Sequence, residues 1–164
     1  MLFVSLAQPS TFRRMLAEPD HALGEPQNVL REFISAMHTW ETECWNRRKG
    51  WKEDNRTKGV QSDYGEIQAI NVKELEKIFI KYCVPNRVGK RVGSWRHPAE
   101  YDPESEKITE VIAVGPSKYR IRTEEVGDSS NKKYEYVLVK TQGHWLLDSK
   151  HLVHQDGTLD RLIL

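Results

Sequence analysis

The chain has 164 residues, 38% of them hydrophobic and 30% charged, with 25 Lys and Arg against 24 Asp and Glu. That length suits one domain whose core needs no metal or disulfide staples, and the composition excludes disordered, collagenous and disulfide-scaffold classes. A net charge of +1 supplies no global field to gather phosphate backbones or anionic lipid, so such binding would need a local patch.

The N-terminal run Met1 to Pro9 is apolar but too short to span a bilayer, and it lacks the basic lead of a secretory signal. No other stretch approaches the roughly 20 apolar residues of a membrane helix, and the expectation is a cytoplasmic protein. Pro9, Pro19 and Gly24 punctuate residues 1–25, which read as an N-terminal arm with a short helix at Thr11 to Ala17; residues 26–164 read as a single domain.

From Pro26, the residues Val29, Leu30, Phe33, Ile34, Met37, Trp40, Cys44 and Trp45 recur at spacings of three and four. This is the stripe of one long amphipathic helix. Pro26 suits its first turn, and Arg47-Arg48-Lys49-Gly50 predicts its end, where cations complement the dipole and glycine permits a left-handed exit. Residues 51–70, with Gly59, Gly65 and a weak periodic signal, read as an ordered loop with room for a short turn of helix. A second helix follows, with Asn71 as N-cap, Glu74 as its capping-box partner, Leu75, Ile78, Phe79 and Tyr82 as its stripe and Pro85 as its bound. Cys44 and Cys83 fall on these apolar faces, which suits buried reduced thiols. The six histidines form no His-x-x-x-His pair and there is no Cys-x-x-Cys, so neither a metal nor a cofactor is expected.

Beyond Pro85 the period changes to two. Strands are predicted at about 92–101, 107–115, 117–126, 133–141 and 144–152, with turns at Gly115-Pro116-Ser117 and Thr141-Gln142-Gly143 and a hairpin loop over Gly127 to Asn131. The last three or four should form an antiparallel meander. Tyr134, Tyr136 and Leu138 share one face and Glu135, Val137 and Val139 the other, so both faces are partly covered, as in a curved sheet wrapped on helices. Helices followed by strands argue for an α+β domain. The tail Leu162-Ile163-Leu164 is left to pack on the sheet or to meet a partner.

This order, with the Gly143-His144-Trp145-Leu146-Leu147 turn between the last strands, resembles the nuclear transport factor 2-like superfamily from about Pro26 to His154. The resemblance implies a cone-like antiparallel sheet curled around the long first helix. The Trp40-Glu41 helix, the Glu100-Tyr101-Asp102-Pro103 segment and the Tyr-rich penultimate strand look most like bacterial immunity proteins of polymorphic toxin systems. That implies a non-enzymatic antidote that binds a cognate toxin domain encoded by a neighbouring gene and covers its active site, with no cofactor. The same cone hosts isomerases, dehydratases and hydrolases, so a small-molecule enzyme or ligand-binding protein using the pocket is the alternative. The superfamily's habit of dimerising through the open sheet face leaves a homodimer open too.

An enzyme on this cone would carry a carboxylate or a His–Asp pair in an apolar pocket. Asp148 shares a strand face with Leu146 and Lys150 and reads as a surface carboxylate, His38 flanks the helix stripe, and Tyr64 and Tyr82 read as core; no catalytic residue is assigned. A stronger signal is Arg87, Lys90, Arg91, Arg96 and His97 interleaved with Val88, Val92 and Trp95, then the acidic run Asp102, Glu104, Glu106. Basic residues beside an aromatic suit single-stranded nucleic acid, but the adjoining carboxylates favour protein recognition, in which Trp, Tyr and Arg supply the anchors. The candidate partner contacts are Trp51, Arg91, Trp95, Arg96, Tyr101, Asp102 and Glu104, with core packing the rival for the two tryptophans. Inhibitors of basic nucleases tend to be acidic, so near-neutrality favours a toxin of other chemistry.

Overall fold

The apolar stripe that opens at Pro26 forms helix α1, Pro26–Lys58, in the computed structural model, which describes residues 25–58, 63–87, 95, 97–127, 131–162 and 164. The helix continues through Gly50 instead of ending there. A glycine permits a left-handed exit but does not compel one, and tertiary contacts hold the extra turns: Trp51 packs on Tyr64, ring centroids 4.9 Å apart, at the start of the next helix. The cation assigned to the helix end, Arg47, reaches sideways. Its Nη1 donates to Glu74 at 2.6 Å and to Asn71 Oδ1 at 2.7 Å, and its Nη2 donates to Glu74 at 3.0 Å.

Helix α2 spans Tyr64–Tyr82, capped by Asp63, whose carboxylate accepts from the Gly65 N–H at 2.8 Å. Most of the predicted loop over 51–70 is therefore helix. Asn71, the predicted N-cap, is buried inside α2, where its carbonyl accepts from Trp40 Nε1 at 2.9 Å. An Asn followed three residues later by Glu satisfies a capping box; here both side chains are spent on Arg47 instead and lock the helices together. After a single 3-10 turn, Pro85–Arg87, the chain passes to the sheet.

The five strands are β1 Glu106–Gly115, β2 Lys118–Glu125, β3 Lys132–Thr141, β4 His144–Val153 and β5 Leu159–Leu162. They form one meander in the order β1-β2-β3-β4-β5, every neighbour antiparallel. One expectation is corrected. Residues 95 and 97–101 are not strand, while 92–94 and 96 lie outside the described residues. The tail supplies β5, which turns back on β4 through a loop closed by His154 N–H, donating to the Thr158 carbonyl at 2.9 Å. The arm 1–24 and most of the loop 127–131 also lie outside the described residues.

The β3–β4 register contains the decisive irregularity. Val137 pairs with Ser149 but Leu138 pairs with Leu147, leaving Asp148 as the extra residue of a bulge. Strict alternation would put Leu146, Asp148 and Lys150 on one face. The bulge reverses the phase, so Lys150 shares the inner face with Leu147, Leu138 and Tyr136.

That inner face packs on the α1 and α2 stripes. Phe33 is fully buried and meets Phe79, Tyr82 and Tyr101 edge-on, at centroid distances of 6.4, 6.1 and 5.5 Å. Tyr134 through Leu138 are buried without a break, as the two-faced pattern of β3 implies, and Leu164 joins the core from the tail. Val84 N–H donates to the Leu147 carbonyl at 2.9 Å, tying the exit of α2 to β4. Cys44 and Cys83 are both buried thiols, and burial pushes the Cys44 thiol up to about 12 against the pull of Arg47. No helix among the described residues is long and apolar enough to cross a membrane.

Because Phe33 touches both helices and the segment entering the sheet, Phe33→Ala should cost about 3–5 kcal/mol. Urea unfolding followed by far-UV circular dichroism measures this loss as a lower midpoint at unchanged slope.

Candidate partner-binding surface

The residues singled out from the sequence fall into two groups once folded. Trp95, half-buried, packs on the core with one side and meets Trp45 of α1 edge-on with another, ring centroids 6.2 Å apart. Trp45 stacks on the exposed His97 with parallel rings 4.2 Å apart, and the Arg48 guanidinium lies 5.3 Å from the Trp95 ring. Two tryptophans, a histidine and an arginine thus make one surface cluster, with cation–π contact and stacking holding the rings. Trp45 was counted with the helix stripe and Arg48 with the helix end; their positions three residues apart on one face are the signal that could have joined them. Trp51 lies further along α1 against Tyr64. Arg91 and Arg96 lie outside the described residues.

Tyr101 is a correction. Its side chain is wholly buried, edge-on to Phe33, so it cannot touch a partner. The chain turns inward at this point because α1 side chains take its backbone groups. Glu41 is fully buried, and its Oε2 accepts from the N–H groups of Glu100 at 2.7 Å and Tyr101 at 3.2 Å. His38, three residues earlier on the same helix face, bonds the Tyr101 carbonyl through Nδ1 at 2.7 Å. A carbonyl only accepts, so this nitrogen carries the proton.

Asp102 and Glu104 begin the return to the surface. Burial acts to raise the Asp102 carboxyl, but hydrogen bonds from Glu104 and Ser105, with His38 nearby, hold it below the usual carboxylate range. Glu104 is exposed. Glu106, the third member of the acidic run, is buried on the inner sheet face, where it accepts from the hydroxyls of Thr123 and Tyr136.

Large buried side chains crowd the inner face of the curved sheet. Lys150 is fully buried with its Nζ 4.1 Å from the Tyr101 ring, 4.2 Å from Tyr134 and 5.5 Å from Tyr136, and 3.8 Å from Glu100 Oε1. Burial pushes the phenols of Tyr134 and Tyr136 up, reinforced by Glu125 and Glu106 respectively, so both stay protonated at neutral pH. Lys150 thus lies among three tyrosine rings within the fold. Among the described residues no group of three or more His, Cys, Asp or Glu could hold a metal ion.

The outer sheet face carries a groove of about 1190 Å³ beside β5. Across its floor Arg122 bridges Glu110 at 2.9 Å and the buried Glu135 at 3.2 Å, with Arg120 3.7 Å from Glu135 on the other side. This cross-strand network leaves cations and carboxylates nearly balanced.

Over residues 25–159 the chain matches the model of a family described as NTF2 fold immunity protein. It is 25% identical over 131 residues to Immunity protein RhsIA of Dickeya dadantii (strain 3937), an alignment that covers 78% of this chain and 87% of that protein. No solved structure matches.

The lowered Asp102 carboxyl makes a pH-dependent prediction. A depressed value stabilises the folded chain above the unfolded pKa and stops doing so as pH falls through the folded one. Asp102→Asn should therefore melt at a lower temperature than wild type at pH 7, and the difference should shrink as acidification takes the pH below the ordinary carboxylate range. Thermal melts across that range give the comparison.

Proposed function

The chain belongs to the NTF2 fold immunity protein family, and we propose that it protects its own cell by binding a cognate toxin domain, encoded beside it, and covering that domain's active site. The family match carries this reading. Protection takes place in the cytoplasm, before the toxin reaches its target, and requires no catalysis by this chain.

The surface that fits the task is the cluster of Trp45, Arg48, Trp95 and His97, flanked by Trp51 on α1 and by Asp102 and Glu104 at the entry to β1. Aromatic rings seated on one side and open on the other lose little side-chain freedom on binding, and Trp and Arg dominate the centres of protein interfaces. An ordinary interface of about 1,600 Å² built around such anchors suffices for tight occlusion.

Co-expression tests the reading. Cells expressing the cognate toxin domain should stop growing, and the chain expressed with it should restore growth and co-purify in a stoichiometric complex; no rescue and no complex would refute the proposal. Trp95→Ala should raise Kd for the toxin domain roughly 30-fold, the cost of losing an anchor worth about 2 kcal/mol, as read by titration calorimetry.

A further inference from the structure

We propose that residues 97–104 form a preorganised docking ridge for the toxin domain, and that Glu41 and Lys150, buried beneath it, are its positioning residues. This rests on the functional reading above and adds how the binding surface is made rigid.

The ridge is neither helix nor strand, yet its centre is fixed from below at several points. The N–H groups of Glu100 and Tyr101 converge on one oxygen of Glu41, and the Tyr101 carbonyl is taken by His38. Lys150 reaches the same two residues from the sheet, its ammonium over the Tyr101 ring and beside the Glu100 carboxylate. Glu41 and Lys150 therefore clamp a single dipeptide from opposite layers of the fold. On one side of that dipeptide the chain presents His97 and Trp95 to the Trp45 and Arg48 cluster; on the other it presents Asp102 and Glu104.

Burying a carboxylate and an ammonium is expensive, and a fold in need of stability alone does better with apolar side chains of similar size. What the two side chains supply is geometry: the hydrogen bonds that Glu41 accepts from the loop backbone, and the contacts of Lys150 with the Tyr101 ring and the Glu100 carboxylate, hold the loop in one conformation. A loop ordered before binding spares the complex the backbone entropy that ordering it on contact would cost. The bulge at Asp148 points the same way, since without that extra residue Lys150 would face outward and the clamp would lack its sheet half.

The test uses the full chain with Glu41→Ala, Glu41→Gln and Lys150→Met, read by amide hydrogen exchange and by calorimetric titration with the cognate toxin domain. With Glu41→Ala the Glu100 and Tyr101 amides should exchange at least tenfold faster while β3 amides keep their protection, and Kd should rise about tenfold with a less favourable binding entropy. Glu41→Gln, whose amide oxygen still accepts, should recover part of both effects. Lys150→Met supplies the same readings should Glu41→Ala fail to fold. Faster exchange at the ridge with Kd unchanged would overturn the proposal, as would a loss of protection spread evenly over the sheet, which marks a merely structural role. A wild-type chain that does not bind the toxin domain would instead bring down the functional reading and this one with it, and that control separates the two failures.

Discussion

Phe33 is the contact on which the architecture closes. Its ring is enclosed edge-on by Phe79 and Tyr82 from α2 and by Tyr101 from the segment entering the sheet. Three parts of the chain far apart in sequence therefore share one aromatic cluster, and none can shift without opening a cavity under the others. The two helices are held by a second, polar contact, the Arg47 fork on Glu74 and Asn71. Burial supplies most of the energy and the fork supplies the alignment, since a bidentate guanidinium tolerates little rotation of one helix against the other.

The buried carboxylates are tied into the fold by specific neighbours. Glu106 is engaged by two hydroxyls, Glu41 by two backbone N–H groups and Glu135 by two arginines. Lys150 lies against the rings of Tyr101, Tyr134 and Tyr136. The surface is left with a half-seated aromatic cluster, the kind of feature that suits a protein partner.

The links between helix, ridge and sheet also explain why the partner-binding residues were only partly legible. Trp95 and the acidic pair Asp102 and Glu104 stood out by composition, but the same composition put Tyr101 on the surface and counted Glu106 with the acidic run. A tyrosine or glutamate in a short loop carries no sign of which way it faces; that depends on what lies beneath, here His38 and Glu41 on a helix some sixty residues earlier. Trp45 and His97 were missed as a pair for the same reason, because their stack joins two segments with no local pattern in common.

Periodicity by itself determined the helices' apolar stripes, the four long strands, the antiparallel meander and the α+β class, because these follow from side-chain spacing along a regular backbone. Tertiary structure alone decided where α1 ends, since Gly50 allows either outcome and packing of Trp51 on Tyr64 selects the longer helix. It decided that Asn71 and Glu74 bind Arg47 instead of capping α2, and that the tail becomes β5. Above all it decided the facing of Lys150. A bulge inserts one residue into a two-residue period and reverses every side chain after it, and a bulge exists only in the pairing of two strands, which no single strand's sequence displays.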